Sequence, residues 1–166
     1  MATHNQGGID YRVVVAGYDE MDAILDLSEK FFSESNYAGH TTYAPAKLRG
    51  NLFLAWQSYP RDFITFVLVS CYGEPAGYAH VRMTDFYTQE PIGDLFQFYV
   101  LPHHRGTGGA RALRDAVEQQ FKDWDCRLKY VECGAGLDDG KNNMLFFNLW
   151  SKIGYKFLGS ALFKRG

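Results

Sequence analysis

Apolar residues follow two different periods along this chain, and the period predicts its elements. Strands are predicted where apolar residues alternate with polar ones or run without a break, at 9–16, 63–71, 76–86, 92–101, 127–133 and 155–163. Helices are predicted where apolar residues recur every three or four positions, from Asp19 as the N-cap to about Ser33, from Pro45 through Trp56, at 108–124 and at 142–153. The predicted order is therefore β-α-α-β-β-β-α-β-α-β.

The connections between the predicted strands indicate how the sheet is assembled. Residues 63–71 form an almost continuous apolar run, which is typical of a strand buried on both faces. Turn signals at 72–75 and 88–91 join this strand to the next two, so we expect an antiparallel meander. The strand at 127–133 follows a helical crossover and should lie parallel to the strand at 92–101. These features favour one mixed α/β domain over residues 9–166, preceded by a disordered polar tail at 1–8.

The composition narrows the classes of partner. The chain of 166 residues carries a net charge of −2, which gives neither the basic surface of a nucleic-acid-binding protein nor a polybasic membrane patch. It has no apolar run of membrane-spanning length, and residues 1–8 lack the charged-then-apolar order of a secretion signal. We therefore expect a cytoplasmic protein with no nucleic-acid or membrane partner.

The cysteines and histidines give no sign of a metal centre. Cys71, Cys126 and Cys133 are an odd number without a C-x-x-C pair, so neither a disulfide framework nor a zinc site is indicated, and we expect buried thiols. His103 and His104 are adjacent and would point in different directions, which makes them a poor metal pair. We interpret them as loop histidines.

A glycine-rich turn follows the strand at 92–101 and opens the helix at 108–124. Free N–H groups at the start of a helix attract phosphate, so the turn is a candidate phosphate site, although the glycines could equally serve only to allow positive φ. The dinucleotide pattern G-x-G-x-x-G fails because Arg111 stands where its last glycine should be. The nucleotide-triphosphate loop fails because no Gly-Lys pair stands in this turn.

A third pattern fits. Residues 105–110 match R-x-x-G-x-[GA], and Val100 and Pro102 precede them as in V-x-P-x-x-R. This segment resembles the acetyl-coenzyme A (acetyl-CoA) motif of the GCN5-related N-acetyltransferase superfamily, and the predicted order of elements agrees with that family over almost the whole chain. The resemblance implies a central, mixed but mostly antiparallel sheet flanked by helices. It also implies acetyl-CoA as co-substrate and transfer of its acetyl group to a primary amine by direct attack in a ternary complex.

The resemblance also assigns candidate cofactor-binding residues. The turn would hold the pyrophosphate through backbone N–H groups, with charge from Arg105 and a hydroxyl from Thr107. The family's central strand splays from its parallel neighbour at a bulge, and its backbone then pairs with the pantetheine arm; Val100 would also polarise the thioester carbonyl. The full candidate set is Phe98, Tyr99, Val100, Arg105, Gly106, Thr107, Gly108, Gly109, Ala110 and Asn143.

Two carboxylates are candidates for the base that deprotonates the amine. Asp94 matches the position of the glutamate base in the histone-acetylating branch of the superfamily, although a salt-bridged structural role explains it equally well. Aspartate is shorter than glutamate, so a bridging water would help it reach the amine. Glu132, on the neighbouring parallel strand, is the second candidate.

The last predicted helix follows the family pattern N-x-x-A-x-x-x-Y-x-K-x-G-F only in part. Asn143, Lys152, Gly154 and Tyr155 fall at its Asn, Lys, Gly and Phe positions, but Phe146 replaces the alanine and Trp150 replaces the tyrosine that often protonates the leaving thiolate. An indole N–H donates a hydrogen bond but is not a useful acid. Solvent, Tyr99, Tyr155 and direct release of the thiolate remain open as solutions.

The acceptor is left open by the sequence. A polar loop between the first two helices carries Tyr37, His40 and Tyr43, which the resemblance makes candidate substrate-binding residues together with Trp150, although an exposed connection explains the loop as well. The acceptor is expected to be a small-molecule or peptide amine, and a homodimer is one open assembly. The alternative function is a catalytically weak or inactive acyl-CoA-binding regulatory or interaction module, which the replacement by Trp150 supports.

Overall fold

The computed structural model describes residues 9–35, 37–85, 88–131 and 140–156, with the side chains of 140–143 excepted. Strands and helices appear in the predicted order. The strands are β1 (Tyr11–Val15), β2 (Phe63–Ser70), β3 (Pro75–Thr84), β4 (Ile92–Val100) and β5 (Leu128–Val131), and the helices are α1 (Met21–Glu34), α2 (Pro45–Ser58), α3 (Gly109–Asp123) and α4 (Gly140–Ser151). Short 3-10 turns at Tyr18–Glu20 and Pro102–His104 precede α1 and α3.

The start of the first helix and the start of the last predicted strand differ from the predictions. The start of α1 is preceded by the 3-10 turn, and the Gly17 N–H donates to Glu20 Oε2 at 2.8 Å, so the predicted N-cap role of Asp19 is wrong. Tyr155 and Lys156 adopt no regular structure. The rest of the strand predicted at 155–163 lies outside the described residues and stays a prediction.

The strands form a mixed sheet in the order β1-β2-β3-β4-β5. The pairs from β1 to β4 are antiparallel, and β5 pairs with β4 in parallel, as the crossover predicted. The continuous apolar run of β2 is buried from Thr65 to Ser70, which confirms that both of its faces are covered. The predicted fold class is therefore confirmed.

Helices cover both faces of the sheet. On one face, α1 and α2 pack their apolar residues on Val67 and Val69. On the other, the four-residue spacing of Leu113, Val117 and Phe121 in α3 buries all three side chains completely, as a helical stripe predicts. Gly93 in β4 is required there, because a Cβ at this position would lie 2.5 Å from Phe121 Cδ1.

A bulge in β4 directs the end of that strand. His80 and Val81 are consecutive in β3, but they lie opposite Gln97 and Leu95, so Phe96 is an extra residue. Among the described residues, β5 pairs with β4 only from Ile92 to Leu95. The part of β4 that leads to the glycine turn therefore lies beyond this parallel pairing.

The prediction for the cysteines was partly wrong. Cys126 is buried, but Cys71 is exposed, because the chain turns out of the sheet directly after Ser70. Cys133 lies outside the described residues. Within the described part of the chain, no helix has both the length and the apolar character needed to cross a membrane.

Candidate functional site

The glycine turn has a backbone that only glycine adopts readily. Gly106 and Gly108 have φ of +79° and +103°, in the left-handed region, and a Cβ built on either one meets no atom within 4 Å. The space in front of both residues is thus open. Gly109 is different, because a Cβ there would lie 2.8 Å from Leu68 and 3.2 Å from the Tyr11 ring. One side of the turn therefore packs tightly on the sheet while the other is free for a ligand.

The first turn of α3 also supplies backbone N–H donors. The first helical hydrogen bond runs from the Ala112 N–H to the Gly108 carbonyl at 3.0 Å. The N–H groups of Gly109, Ala110 and Arg111 precede it and have no intrahelical acceptor. These donors and the positive end of the helix dipole favour an anion at this corner.

Arg105 forms contacts with β4 and with the end of α1. Its Nε donates to the Val100 carbonyl at 2.8 Å, its Nη2 pairs with Glu34 Oε2 at 2.7 Å, and its guanidinium lies 5.5 Å from the centre of the Tyr99 ring. The half-buried Glu34 carboxylate at the end of α1 thus pairs with the guanidinium. A role for this charge at the pyrophosphate stays a prediction.

Thr107 faces inward. Its hydroxyl donates to the His104 carbonyl at 2.8 Å, so its proton is not directed at the open side, contrary to expectation. His103 and His104 lie in the 3-10 turn rather than in a loop; His103 is exposed, whereas His104 is 4% exposed. Burial lowers the pKa of His104, and the neighbouring His103 acts in the same direction.

The backbone N–H and C=O groups of successive β4 residues point alternately to the two edges of the strand. The Leu101 N–H donates to the Ala76 carbonyl at 2.9 Å, so by antiparallel alternation Tyr99 exchanges its bonds with Tyr78. The backbone groups of Tyr99 therefore face β3, and its place in the cofactor site stays a prediction. The N–H and C=O of Phe98 and the N–H of Val100 point to the other edge, while the Val100 carbonyl is taken by Arg105.

Asp94 is held by an ion pair. Its Oδ2 accepts hydrogen bonds from Arg82 Nε at 2.8 Å and from Arg82 Nη2 at 2.7 Å. Arg82 lies directly opposite Asp94 in β3. The Asp94 side chain is 14% exposed, and Oδ1 makes no hydrogen bond to the described residues. The guanidinium of Arg82 lies over the ring of the bulge residue Phe96, 5.0 Å from its centre. Arg82 thus orients the Asp94 carboxylate, and Oδ1 is available to accept a hydrogen bond.

Trp150 is a core residue. It is 2% exposed and makes edge-to-face contacts with Phe98 and Tyr155, with ring centres at 5.9 Å and 5.2 Å. Its indole N–H has no hydrogen-bond partner among the described residues. A buried donor without a partner is costly, so this N–H is a candidate ligand contact beside Phe98.

The two tyrosines considered as acids both donate to carboxylates. Tyr99 Oη donates to Glu34 Oε1 at 2.5 Å, and Tyr155 Oη donates to Glu118 Oε1. Burial, reinforced by these carboxylates, raises the pKa of both hydroxyls. Neither is therefore arranged to give its proton to a thiolate.

The remaining candidates are spread over the loop and α4. The Tyr43 hydroxyl donates to the Leu25 carbonyl at 2.8 Å, which fixes it on α1, and burial raises its pKa. Tyr37 and His40 are exposed in a tight turn closed by the His40 N–H to Tyr37 carbonyl bond at 3.0 Å. Glu132 lies outside the described residues, as does the side chain of Asn143.

Two residues of the site gave no sequence signal. Glu34 stands 71 residues before its partner Arg105, and Tyr11 stands 93 residues before its partner His104. Neither belongs to a motif, so only the folded chain shows their roles. Among the described residues, no group of three or more His, Cys, Asp or Glu side chains could hold a metal ion.

Parts of this sequence match a protein family model and a curated protein. Residues 21–144 match a family model described as the acetyltransferase (GNAT) family. A segment of 66 residues is 36% identical to the aminoglycoside N(6')-acetyltransferase type 1 of Stenotrophomonas maltophilia, and it covers 37% of this chain and 43% of that protein. The chain therefore spans less than half the length of this curated relative.

Solved structures share the fold at low identity. The aminoglycoside N-acetyltransferase AAC(6')-Iy in complex with CoA has a TM-score of 0.70 and 17% identity, with 97% of each chain covered. An acetyltransferase of Trypanosoma brucei has a TM-score of 0.68 and 14% identity, covering 94% of this chain and 99% of that chain. At these identities the likeness concerns the fold.

Proposed function

We propose that this chain, which belongs to the acetyltransferase (GNAT) family, transfers the acetyl group of acetyl-CoA to the primary amine of a small molecule by direct attack in a ternary complex. The observation that carries the proposal is the open glycine turn at the start of α3. It lies at the end of β4, whose outer backbone edge extends beyond its pairing with β5 among the described residues.

The turn fits the diphosphate of the cofactor. Gly106 and Gly108 present no side chain to the open space, and the unpaired N–H groups of 109–111 lie at the positive end of α3. The outward N–H and C=O of Phe98 suit the amides of pantetheine, which would extend the sheet like an added strand. The N–H of Val100 is the donor proposed for the thioester carbonyl.

Asp94 is the proposed base for the acceptor amine. Arg82 occupies Oδ2, so Oδ1 is the oxygen that accepts the proton, directly or through one water. Loss of this proton from the ammonium frees the nitrogen lone pair, which forms the C–N bond at the thioester carbon. As the C–S bond breaks, the thiolate leaves with its electron pair and the nitrogen releases its second proton to solvent, which gives the neutral amide.

The thiolate is proposed to leave without a tyrosine acid. Trp150 stands at the position of the family's tyrosine and cannot supply a proton. Tyr99 and Tyr155 hold their protons on Glu34 and Glu118. Protonation by solvent after departure is therefore the route that the described contacts support.

Aminoglycosides are the first acceptors to test. Both the Stenotrophomonas relative and AAC(6')-Iy are named for aminoglycosides. The exposed Tyr37 and His40, in the loop between α1 and α2, are proposed to face the acceptor. A thioester assay with a panel of amines, including aminoglycosides with a 6'-amine, polyamines and peptides, would assign the class.

Cofactor binding is tested by calorimetry and thermal shift. Acetyl-CoA at about a hundred times its Kd should stabilise the fold by about 2.7 kcal/mol. Gly108→Glu should abolish binding, because its carboxylate would occupy the phosphate space. Gly39→Glu is the matched control, since Gly39 also has positive φ, at +80°, and open space around it. No stabilisation of the wild type by millimolar acetyl-CoA would refute the proposal.

The role of Asp94 is tested with its ion-pair partner as control. Asp94→Asn should lower kcat about a hundredfold with the KM for acetyl-CoA little changed. Arg82→Gln breaks the same ion pair but keeps the carboxylate, so its kcat should stay within a few-fold of wild type. Equal losses of kcat in the two variants would show that Asp94 acts only through the ion pair.

The alternative is an acyl-CoA-binding module without turnover. The buried Trp150 at the acid position favours it. Consumption of acetyl-CoA that rises with an added amine would exclude this alternative, whereas tight binding with no turnover on any amine would support it.

A further inference from the structure

The closed side of the glycine turn is held by a residue from the other end of the chain. Tyr11, in β1, places its hydroxyl 2.6 Å from Thr107 Oγ1 and 2.8 Å from His104 Nδ1. Its ring lies against Gly109, where a Cβ would approach Cε1 and Cζ to 3.2 Å. One side chain therefore contacts the residue before the turn, the turn itself and the first residue of α3.

The number of available protons fixes which group is the donor in each hydrogen bond of this network. Thr107 has one hydroxyl proton and donates it to the His104 carbonyl at 2.8 Å. The Tyr11 hydroxyl must then be the donor to Thr107 Oγ1. Because that proton is used, the contact between Tyr11 and His104 requires the donor to be His104 Nδ1–H. Every proton is then used once, and His104 carries a proton on Nδ1.

The surroundings of His104 agree with this assignment. His104 is 4% exposed, and its Nε2 has no partner among the described residues, so a proton there would be a buried and unpaired donor. The charged groups that act on His104 are His103, which lowers its pKa, and Glu74, which raises it, while burial has the largest effect and lowers it. The neutral Nδ1–H form is therefore the one that the site stabilises.

We infer that Tyr11 is a positioning residue for the diphosphate of the cofactor: through Thr107 and His104 it holds the glycine turn in the geometry that presents its N–H groups. This inference rests on the proposed function, since the diphosphate is that of CoA. Tyr11 touches the turn from beneath, on the side opposite the open space. It orients the turn and does not contact the ligand.

The test separates binding of the diphosphate from binding of the thioester arm. Tyr11→Phe removes the hydroxyl and keeps the ring against Gly109. The Kd for CoA should rise about fivefold to tenfold, which corresponds to the loss of one or two neutral hydrogen bonds. With S-acetylpantetheine, which lacks the diphosphate, kcat/KM should stay unchanged, and kcat at saturating acetyl-CoA should stay close to wild type.

A second pair of variants keeps the test decisive if Tyr11→Phe folds poorly. Thr107→Ser retains the hydroxyl and should bind CoA like wild type, whereas the isosteric Thr107→Val should weaken CoA binding to a similar extent as Tyr11→Phe. Tyr18→Phe, at an exposed tyrosine, is the control for the substitution itself.

Three results have distinct meanings. Equal Kd values for CoA in wild type and in Tyr11→Phe would overturn the inference and leave the proposed function standing. Equal losses with CoA and S-acetylpantetheine would also overturn it, because the effect would then be general destabilisation. Failure of the wild type to bind CoA would overturn the proposed function itself.

Discussion

His80 is predicted to make the fold sensitive to mild acid. The side chain is 2% exposed in the middle of β3, and its ring stacks on Phe63 and Phe96 with centres at 5.9 Å and 5.7 Å. Nδ1 lies 2.8 Å from Thr65 Oγ1, and Nε2 has no partner among the described residues. Burial lowers the pKa of His80 to about 3, so the folded protein keeps this group neutral.

The sign and size of the effect follow from the difference in bound protons. Above the unfolded pKa of about 6.5 neither state binds a proton, and His80 adds no pH dependence. Below it the unfolded chain binds a proton that the folded chain excludes, so the free energy of unfolding falls as the pH falls, until the folded pKa is reached. The slope is up to about 1.4 kcal/mol per pH unit, or about 3 kcal/mol between pH 6.5 and 4.

Urea unfolding followed by tryptophan fluorescence at pH 7, 6, 5 and 4 measures this effect. His80→Asn keeps a polar atom near Thr65 and does not titrate, so it should be less stable than wild type at pH 7 but lose less stability toward pH 4. The exposed His40→Asn makes the same exchange at the surface and is the control for the substitution itself. Parallel curves for wild type and His80→Asn would refute the reasoning.

Three further predictions concern packing and chemistry. Trp150→Phe should change the Tm little, because the loss of ring contacts is offset by the removal of a buried N–H without a partner among the described residues, whose burial costs about 1–3 kcal/mol. If the Trp150→Tyr enzyme is as slow as Trp150→Phe, a missing acid does not limit the rate. Gly93→Ala should cost about 1–3 kcal/mol in urea unfolding by overpacking Phe121, whereas Gly50→Ala, with open space in α2, should not destabilise. Cys71→Ser should remove a fast-reacting thiol in a native Ellman assay, and Cys126→Ser should not, since burial protects Cys126 and raises its pKa.

The elements and their order were determined by patterns among neighbouring residues. The four-residue spacing of Leu113, Val117 and Phe121 buries one stripe of α3, and the apolar run of β2 indicates a strand covered on both faces. The helical crossover before β5 requires its parallel pairing, and the glycine turn follows from a short motif. Each of these signals lies within one segment of chain, so periodicity and turn chemistry suffice to predict it.

The contacts that complete the site were decided only by the tertiary structure. Arg105 pairs with Glu34, 71 residues away, and the Thr107 hydroxyl, which donates to the His104 carbonyl, also contacts the hydroxyl of Tyr11 from β1. The bulge at Phe96 and the outward direction of the Phe98 backbone depend on the register between β3 and β4. Such partners are chosen when distant segments meet, and a hydrogen bond depends on tenths of an ångström and on proton counts that no local pattern records.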